Sequence, residues 1–168
     1  MTMKFSVERA DLIKALARTQ SVVEKRTPIP ILSNILLGAN DQQLALCATD
    51  MDLEIIDVVP ANIGEPGSTT VPAHVLYDIV RKLPEDATIN IALNDSKSSV
   101  TLTAGRSSYK LGCLPREDFP EMTATKAANS FTVAASTLRN LIDRTRFAMS
   151  TEETRYYLNG IYLHMSND

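Results

Sequence analysis

Apolar and polar residues alternate from Lys4 to Val7, the period-two pattern of a strand with one buried face. From Glu8 the period changes. Leu12, Leu16, Thr19, Val22 and Val23 fall within one narrow sector of a wheel turned about 100° per residue, with Lys14 and Arg18 on the far side. This predicts an amphipathic helix with a cationic back. It should end within Glu24 to Pro28, because the residue before a proline is pushed out of the α region. Three strands are predicted next, Ile31 to Leu37, Leu44 to Thr49 and Leu53 to Val59, joined by turns at Asn40-Asp41 and Asp50-Met51. Pro60 to Gly67, with two prolines and two glycines, reads as a loop.

The plan then recurs. Ser68 to Val71 predicts a short strand, and Pro72 marks a helix start, where its missing N–H is harmless. Val75, Leu76, Ile79 and Leu83 form the apolar face of that helix, Arg81 lies on its far side and Pro84 stops it. Thr88 to Leu93, Ser99 to Thr103 and Ser107 to Leu114 supply three more strands, with Asn94-Asp95 and Ala104-Gly105 at the joins. Strand–helix–three strands, performed twice, implies α+β: antiparallel sheets with helices on one face, not a doubly wound parallel sheet.

Pro115 to Asn129 has the weak patterning of a linker. Beyond it the opening of the chain is repeated at a constant spacing. Phe131-Thr132-Val133 answers Phe5-Ser6-Val7, Leu138 answers Leu12, and Ile142 answers Leu16. Arg144-Thr145 answers Arg18-Thr19, and Leu158-Asn159-Gly160-Ile161 answers Leu32-Ser33-Asn34-Ile35. The expected division is therefore a complete module over 1–125 and the beginning of a second over 126–168. In the second, Ser130 to Val133 and Tyr156 to Met165 should be strands and Ser136 a helix cap. Set against the first module, several strands and a helix are wanting, so the sequence is expected to be a fragment of a longer protein or a truncated gene product.

Composition changes little in this picture. The 168 residues carry 17 Lys and Arg against 20 Asp and Glu, a net charge of −3. Charge distribution changes more. No Lys or Arg lies between Thr27 and Val80, where Asp41, Asp50, Asp52, Glu54, Asp57, Glu65 and Asp78 fall. The cations gather on or beside predicted helices: Lys14, Arg18, Lys25, Arg26, Arg81, Lys82, Arg139, Arg144 and Arg146. An acidic chain can thus present one basic surface.

Candidate chemistry is sparse. His74 and His164 lack any Ser/Asp or HxxxH context. Asp50, Asp52, Glu54 and Asp57 resemble a metal cluster, but Asp50 belongs to a turn, and alternation turns Asp52 and Glu54 outward. With no EF-hand or phosphate loop, the expectation is no catalytic residue, no metal and no cofactor. Cys47 and Cys113 lie far apart without metal-like or CxxC spacing, as expected of half-buried thiols in a reducing compartment. No signal core or bilayer-length apolar run is present, and the expectation is a soluble cytoplasmic protein that engages no membrane.

Several stretches taken in order resemble the bacterial sliding clamp, the β subunit of DNA polymerase III. They are Pro30-Ile31-Leu32-Ser33-Asn34-Ile35, Ala48-Thr49-Asp50, Gly105-Arg106-Ser107, Asp118-Phe119-Pro120 and Thr154-Arg155-Tyr156-Tyr157-Leu158-Asn159-Gly160. The resemblance implies the DNA-clamp fold and a non-enzymatic processivity factor. It also implies a homodimeric ring around duplex DNA, opened by a separate clamp loader and tethering the polymerase III catalytic subunit and other clamp-binding-motif proteins. Arg26 matches a position that projects toward DNA. Lys25 is a candidate by adjacency, and Lys14, Arg18 and Arg81 by helix geometry. Glu152 departs from the family pattern, where some members carry a neutral side chain that touches DNA. Arg155, Tyr156 and Leu158 match the groove for client peptides, whose other wall this chain lacks, so weak or absent peptide binding is expected of the fragment. Arg106 and Tyr109 match the subunit junction. An alternative expectation is a stand-alone clamp-derived regulatory module that caps a clamp interface and blocks ring closure.

Overall fold

Strand β1 (Lys4–Glu8) runs directly into helix α1 (Arg9–Thr19), and this junction sets the layout of the first half of the chain. The computed structural model describes residues 3–24, 27–121 and 130–164, and the chain divides into two compact units, Met1–Thr123 and Ala124–Asp168. In the first unit follow β2 (Asn34–Asn40), β3 (Gln43–Thr49), β4 (Glu54–Pro60), β5 (Asn62–Glu65) and β6 (Gly67–Pro72). Helix α2 (Ala73–Lys82) comes next, then β7 (Thr88–Leu93), β8 (Ser99–Ala104) and β9 (Ser107–Gly112). Two antiparallel sheets result, in the orders β5-β1-β7-β8-β9 and β4-β3-β2-β6.

Period-two alternation decides which face each strand buries. Phe5 and Val7 of β1 stand opposite Ile91 and Ile89 of β7 and point inward with them. Leu44, Leu46 and Ala48 of β3 do the same beside Ile35, Leu37 and Ala39 of β2. Leu12, Ala15 and Leu16 of α1 and Ala73, Leu76 and Val80 of α2 close one continuous apolar core between sheets and helices. A smaller cluster, Ile31, Leu32 and Phe119, packs Leu36, Cys47 and Leu114 on the other face of the four-stranded sheet.

Three departures from the sequence pattern occur in this unit. Helix α1 ends at Thr19 rather than near Pro28. The Thr19 hydroxyl donates to the Ala15 carbonyl and the Ser21 hydroxyl to the Arg18 carbonyl, while the N–H groups of Ser21, Val22 and Val23 bond three residues back. The ladder therefore tightens into turns that still bury Val22 and Val23. Second, Pro30–Ser33 is a 3-10 turn, not the start of a strand, because Pro30 presets its first residue and one turn suffices to bury Ile31 and Leu32. Third, the expected loop from Pro60 to Gly67 contains β5, which pairs with β1 through Phe5 and Ile63. Pro60 and Pro66 flank this short edge strand, and Gly64 lies within it.

The second unit contains helix α3 (Ala135–Thr145) and 3-10 turns at Arg146–Ala148 and Glu153–Leu158. Among the described residues neither Ser130 to Val133 nor the segment from Tyr156 onward forms a strand. A ladder needs a second backbone to satisfy its N–H and C=O groups, and these segments have none there. Ser136 does not cap α3: Ala134 occupies that position and Ser136 lies inside the first turn.

Candidate nucleic-acid face and partner surfaces

Helices α1 and α2 lie side by side and antiparallel. Arg9, at the start of α1, donates from Nε to the Val80 carbonyl (3.1 Å) and from a terminal nitrogen to the Arg81 carbonyl (3.1 Å), at the end of α2. Both carbonyls lie in the last turn of α2, where Val80 also accepts from the Leu83 N–H (3.3 Å), and a cation there meets the negative end of the helix dipole. At the opposite end, the His74 ring lies 2.9 Å from Gln20 Oε1 and 3.0 Å from the Val23 carbonyl.

The pair buries its apolar side and turns its polar side out. Lys14 is exposed and has no ion-pair partner among the described residues. Arg18 is also exposed, but its Nε donates to Asp57 of β4 at 2.5 Å, a bond that raises the guanidinium pKa above its ordinary value. Arg81 pairs with Asp78 at 3.2 Å and lies 5.8 Å from the centre of the Tyr77 ring. Gln20, Ser21, His74, Tyr77, Asp78 and Arg81 border an open cleft of about 680 Å³ at this end of the pair. Lys25 and Arg26 lie outside the described residues. Lys14, Arg18 and Arg81 thus share one helical layer, and two of the three carry a carboxylate of their own. Sequence periodicity found the buried face of α1, but on α2 it put Val75, which is 49% exposed, on the apolar face and passed over Ala73 and Val80. It also missed both carboxylates; Asp57 lies on another element, and only the i, i+3 spacing of Asp78 was open to view.

The carboxylates considered as metal ligands go to separate tasks. Asp50 Oδ1 accepts from the N–H groups of Asp52 (3.0 Å) and Leu53 (2.7 Å), Glu54 accepts from the Cys47 thiol (3.3 Å), and Asp57 holds Arg18. No group of three or more potential metal ligands gathers among the described residues. Burial, reinforced by the Glu54 carboxylate, pushes the Cys47 thiol up to about 12, and burial also raises Cys113. His164 stacks on Tyr162 at 5.7 Å. No helix among the described residues is long and apolar enough to cross a membrane.

Strand β9 edges the five-stranded sheet and is paired on one side only, with β8. Gly105, with φ +55°, makes the turn between the two strands. Arg106 follows it, exposed, while Tyr109 is half-buried opposite Leu102 and touches the core.

In the second unit Arg155, Tyr156 and Leu158 share the 3-10 segment, with Arg155 itself at a kink (φ −112°, ψ 44°). The Ser150 N–H donates to the Leu158 carbonyl at 3.0 Å and closes the loop. The Asn159 amide, oriented to satisfy both of its ends, donates to Ser150 O (2.9 Å) and Arg155 O (3.2 Å). Glu152 pairs with Arg155 at 3.0 Å. Tyr156 and Tyr157 meet edge-on at 5.7 Å and stand 78% and 71% exposed. Nearby, Leu138, Ile142, Met149, Ile161 and Leu163 line an apolar hollow of about 450 Å³ that no sequence motif announced.

Comparison with known proteins accounts for this arrangement. The family model described as the DNA polymerase III beta subunit, N-terminal domain, matches residues 3–123, and that of the central domain matches residues 132–168. The chain is 51% identical over 166 residues to the beta sliding clamp of Caulobacter vibrioides, covering 99% of this chain and 45% of that protein. It is 43% identical over 165 residues to the beta sliding clamp of Pseudomonas aeruginosa, covering 98% of this chain and 44% of that one. A crystal structure of the C. crescentus beta sliding clamp superposes with a TM-score of 0.95 at 51% identity, over 99% of this chain and 44% of that one. The sliding clamp of Bartonella birtlesii, solved bound to griselimycin, superposes with a TM-score of 0.94 at 45% identity, over 100% of this chain and 45% of that one. The chain spans about half the length of the curated relatives it matches. With both models matched in order along one continuous sequence, the chain belongs to the DNA polymerase III beta subunit family, the beta sliding clamps.

Proposed function

We propose that this chain supplies the first domain, and the beginning of the second, of a ring that encircles duplex DNA and tethers a replicative polymerase without catalysing a reaction. The observation that carries the reading is the α1–α2 pair: one flat helical layer, backed by a closed core, that presents Lys14, Arg18 and Arg81 on its polar side. Cations spread over such a layer attract phosphate without reading bases, as a surface that must travel along DNA requires. Lys25 and Arg26, just beyond α1 in sequence, extend the same role. Among the described residues His74 meets the Gln20 amide and the Val23 carbonyl, and His164 stacks on Tyr162, so neither is paired with a carboxylate as a catalytic base would be.

The remaining surfaces take the roles the family suggests. The one-sided edge of β9, with Arg106 and Tyr109, is the subunit junction of a homodimer. Arg155, Tyr156 and Leu158 form one wall of a groove for the hydrophobic motifs of the polymerase III catalytic subunit and other clients, since an aromatic–aliphatic surface rimmed by Arg suits such peptides. Ring opening falls to a separate clamp loader, and the compartment is the cytoplasm.

The mechanism is topological, and a retention assay tests it. The full-length ring, loaded on nicked circular DNA, should remain bound and should run off when the circle is linearised. Equal retention on both forms would refute the reading.

A further inference from the structure

Asp57 stands where the pattern of its strand calls for an apolar residue. In β4, Ile55 and Val59 pack toward the core, while Ile56 and Val58 point away and are 61% and 48% exposed. Asp57 shares the core side, where a carboxylate without partners would be costly. It has two. Oδ2 accepts from Arg18 Nε, and Oδ1 accepts from the N–H of Val58 at 3.0 Å. Its side chain is 19% exposed against 59% for Arg18, so the anion is fixed beneath while the cation reaches toward solvent. Lys14, one turn earlier on the same helix, has no such companion among the described residues.

Resting on the nucleic-acid reading of this layer, we propose that Asp57 is an affinity-setting residue, a built-in counter-ion that competes with DNA phosphate for Arg18 and keeps the hold of the helices weak. Binding to duplex DNA gains most of its free energy from releasing cations condensed on phosphate, in proportion to the protein charges that replace them. An arginine already neutralised by its own carboxylate replaces few. It can still offer phosphate the guanidinium hydrogens not taken by Asp57, as a nearly neutral donor that is quickly exchanged from one phosphate to the next. The exposed Asp78–Arg81 pair acts in the same sense, less firmly, since both its side chains are 57% exposed.

A double-mutant cycle on the 168-residue chain tests this, read by fluorescence anisotropy of a short labelled duplex over a range of salt concentrations. Asp57→Asn keeps a hydrogen-bonding side chain and removes the charge. It should tighten binding roughly three- to tenfold at low salt, and steepen the slope of log K against log salt by up to about 0.9. Arg18→Gln should cost little in the native background and cancel the gain in the Asp57→Asn background. Asp95→Asn, in the exposed β7–β8 turn, changes net charge equally and should do much less.

Tightening by Asp95→Asn as large as that by Asp57→Asn would assign the effect to net charge and overturn the proposal. So would an Arg18→Gln loss in the native background as large as that of Lys14→Ala. Unchanged DNA affinity in Asp57→Asn with increased self-association would instead assign Asp57 to protecting the β4 edge, also overturning it. The Arg18→Gln arm stands even where Asp57→Asn impairs folding. A Lys14→Ala variant that binds as the native chain does, or no binding by any variant, defeats the helix-face reading itself and the inference with it. Failure of the Asp57 arms while Lys14 still matters leaves that reading intact.

Discussion

The same sequence pattern is written twice in this chain with opposite results. Phe5 and Val7 are each 2% exposed, whereas Phe131 and Val133, their counterparts, are 53% and 38% exposed. Leu16 is fully buried on α1, and Ile142, at the matching place on α3, is 42% exposed. The helix forms in both units and its apolar stripe is legible in both. What differs is the sheet. In the first unit β7, β3 and β2 supply inward faces against which the stripe closes; among the described residues of the second, no strand does. Amphipathic periodicity therefore specifies which side of an element is to be buried, and burial itself needs the long-range partner.

This contrast can be tested by matched substitutions. The largest effect should come from Leu16→Ala, which leaves a cavity in a closed core and should cost about 2–5 kcal/mol. Ile142→Ala removes a side chain already in contact with solvent and should cost under about 1 kcal/mol. Urea unfolding of the two variants beside the native chain measures both, and equal losses would mean the second unit is as tightly closed as the first. Next come the glycines. Gly105 holds φ +55° in the β8–β9 turn, so Gly105→Ala should cost about 1 kcal/mol, although a Cβ there would meet no atom within 4 Å. Gly160 has neither a positive φ nor a close neighbour, and Gly160→Ala should be neutral within about 0.5 kcal/mol. Thermal unfolding distinguishes them.

The last effect is one of pH, and it concerns Cys47 of the first unit. Cys47 titrates near 12 when folded against an ordinary 9.0, so above about pH 9 the unfolded chain gives up a proton that the folded chain keeps. Its contribution to stability is whole below about pH 9 and is lost as pH rises through about 12. Urea midpoints should fall less steeply between these limits in Cys47→Ser than in the native chain; parallel curves would place the thiol in an ordinary environment.

Much of the first unit could be read from the sequence, because period two and period 3.6 are local signals. β7 is found at its observed limits, and α2 lies where Pro72 and Pro84 bracket it. The early end of α1 is itself local, made by hydroxyls and bonds within five residues. The other departures involve partners that no local window contains: β5 pairs with β1, and Phe119 covers the Ile31 and Leu32 that the Pro30–Ser33 turn presents. The strands expected in the second unit and not formed among its described residues are the same lesson inverted. At the candidate site, helical geometry placed Lys14, Arg18 and Arg81 on one layer, but not the carboxylate beneath Arg18, which arrives from a strand 39 residues later. Arg26 and Lys25 rest on family resemblance and adjacency.

The lacing of α1 to α2 bears on how a polyanion would move across them. With Arg9 tied to one end of the pair and His74 to the other, the two helix backbones are held in register. On the DNA-facing reading proposed above, a duplex translating over the pair would meet charges rooted at a spacing set by that lacing. Their exposed side chains would follow each phosphate over a few ångströms, so the lacing would set the period of the potential and the side chains its depth.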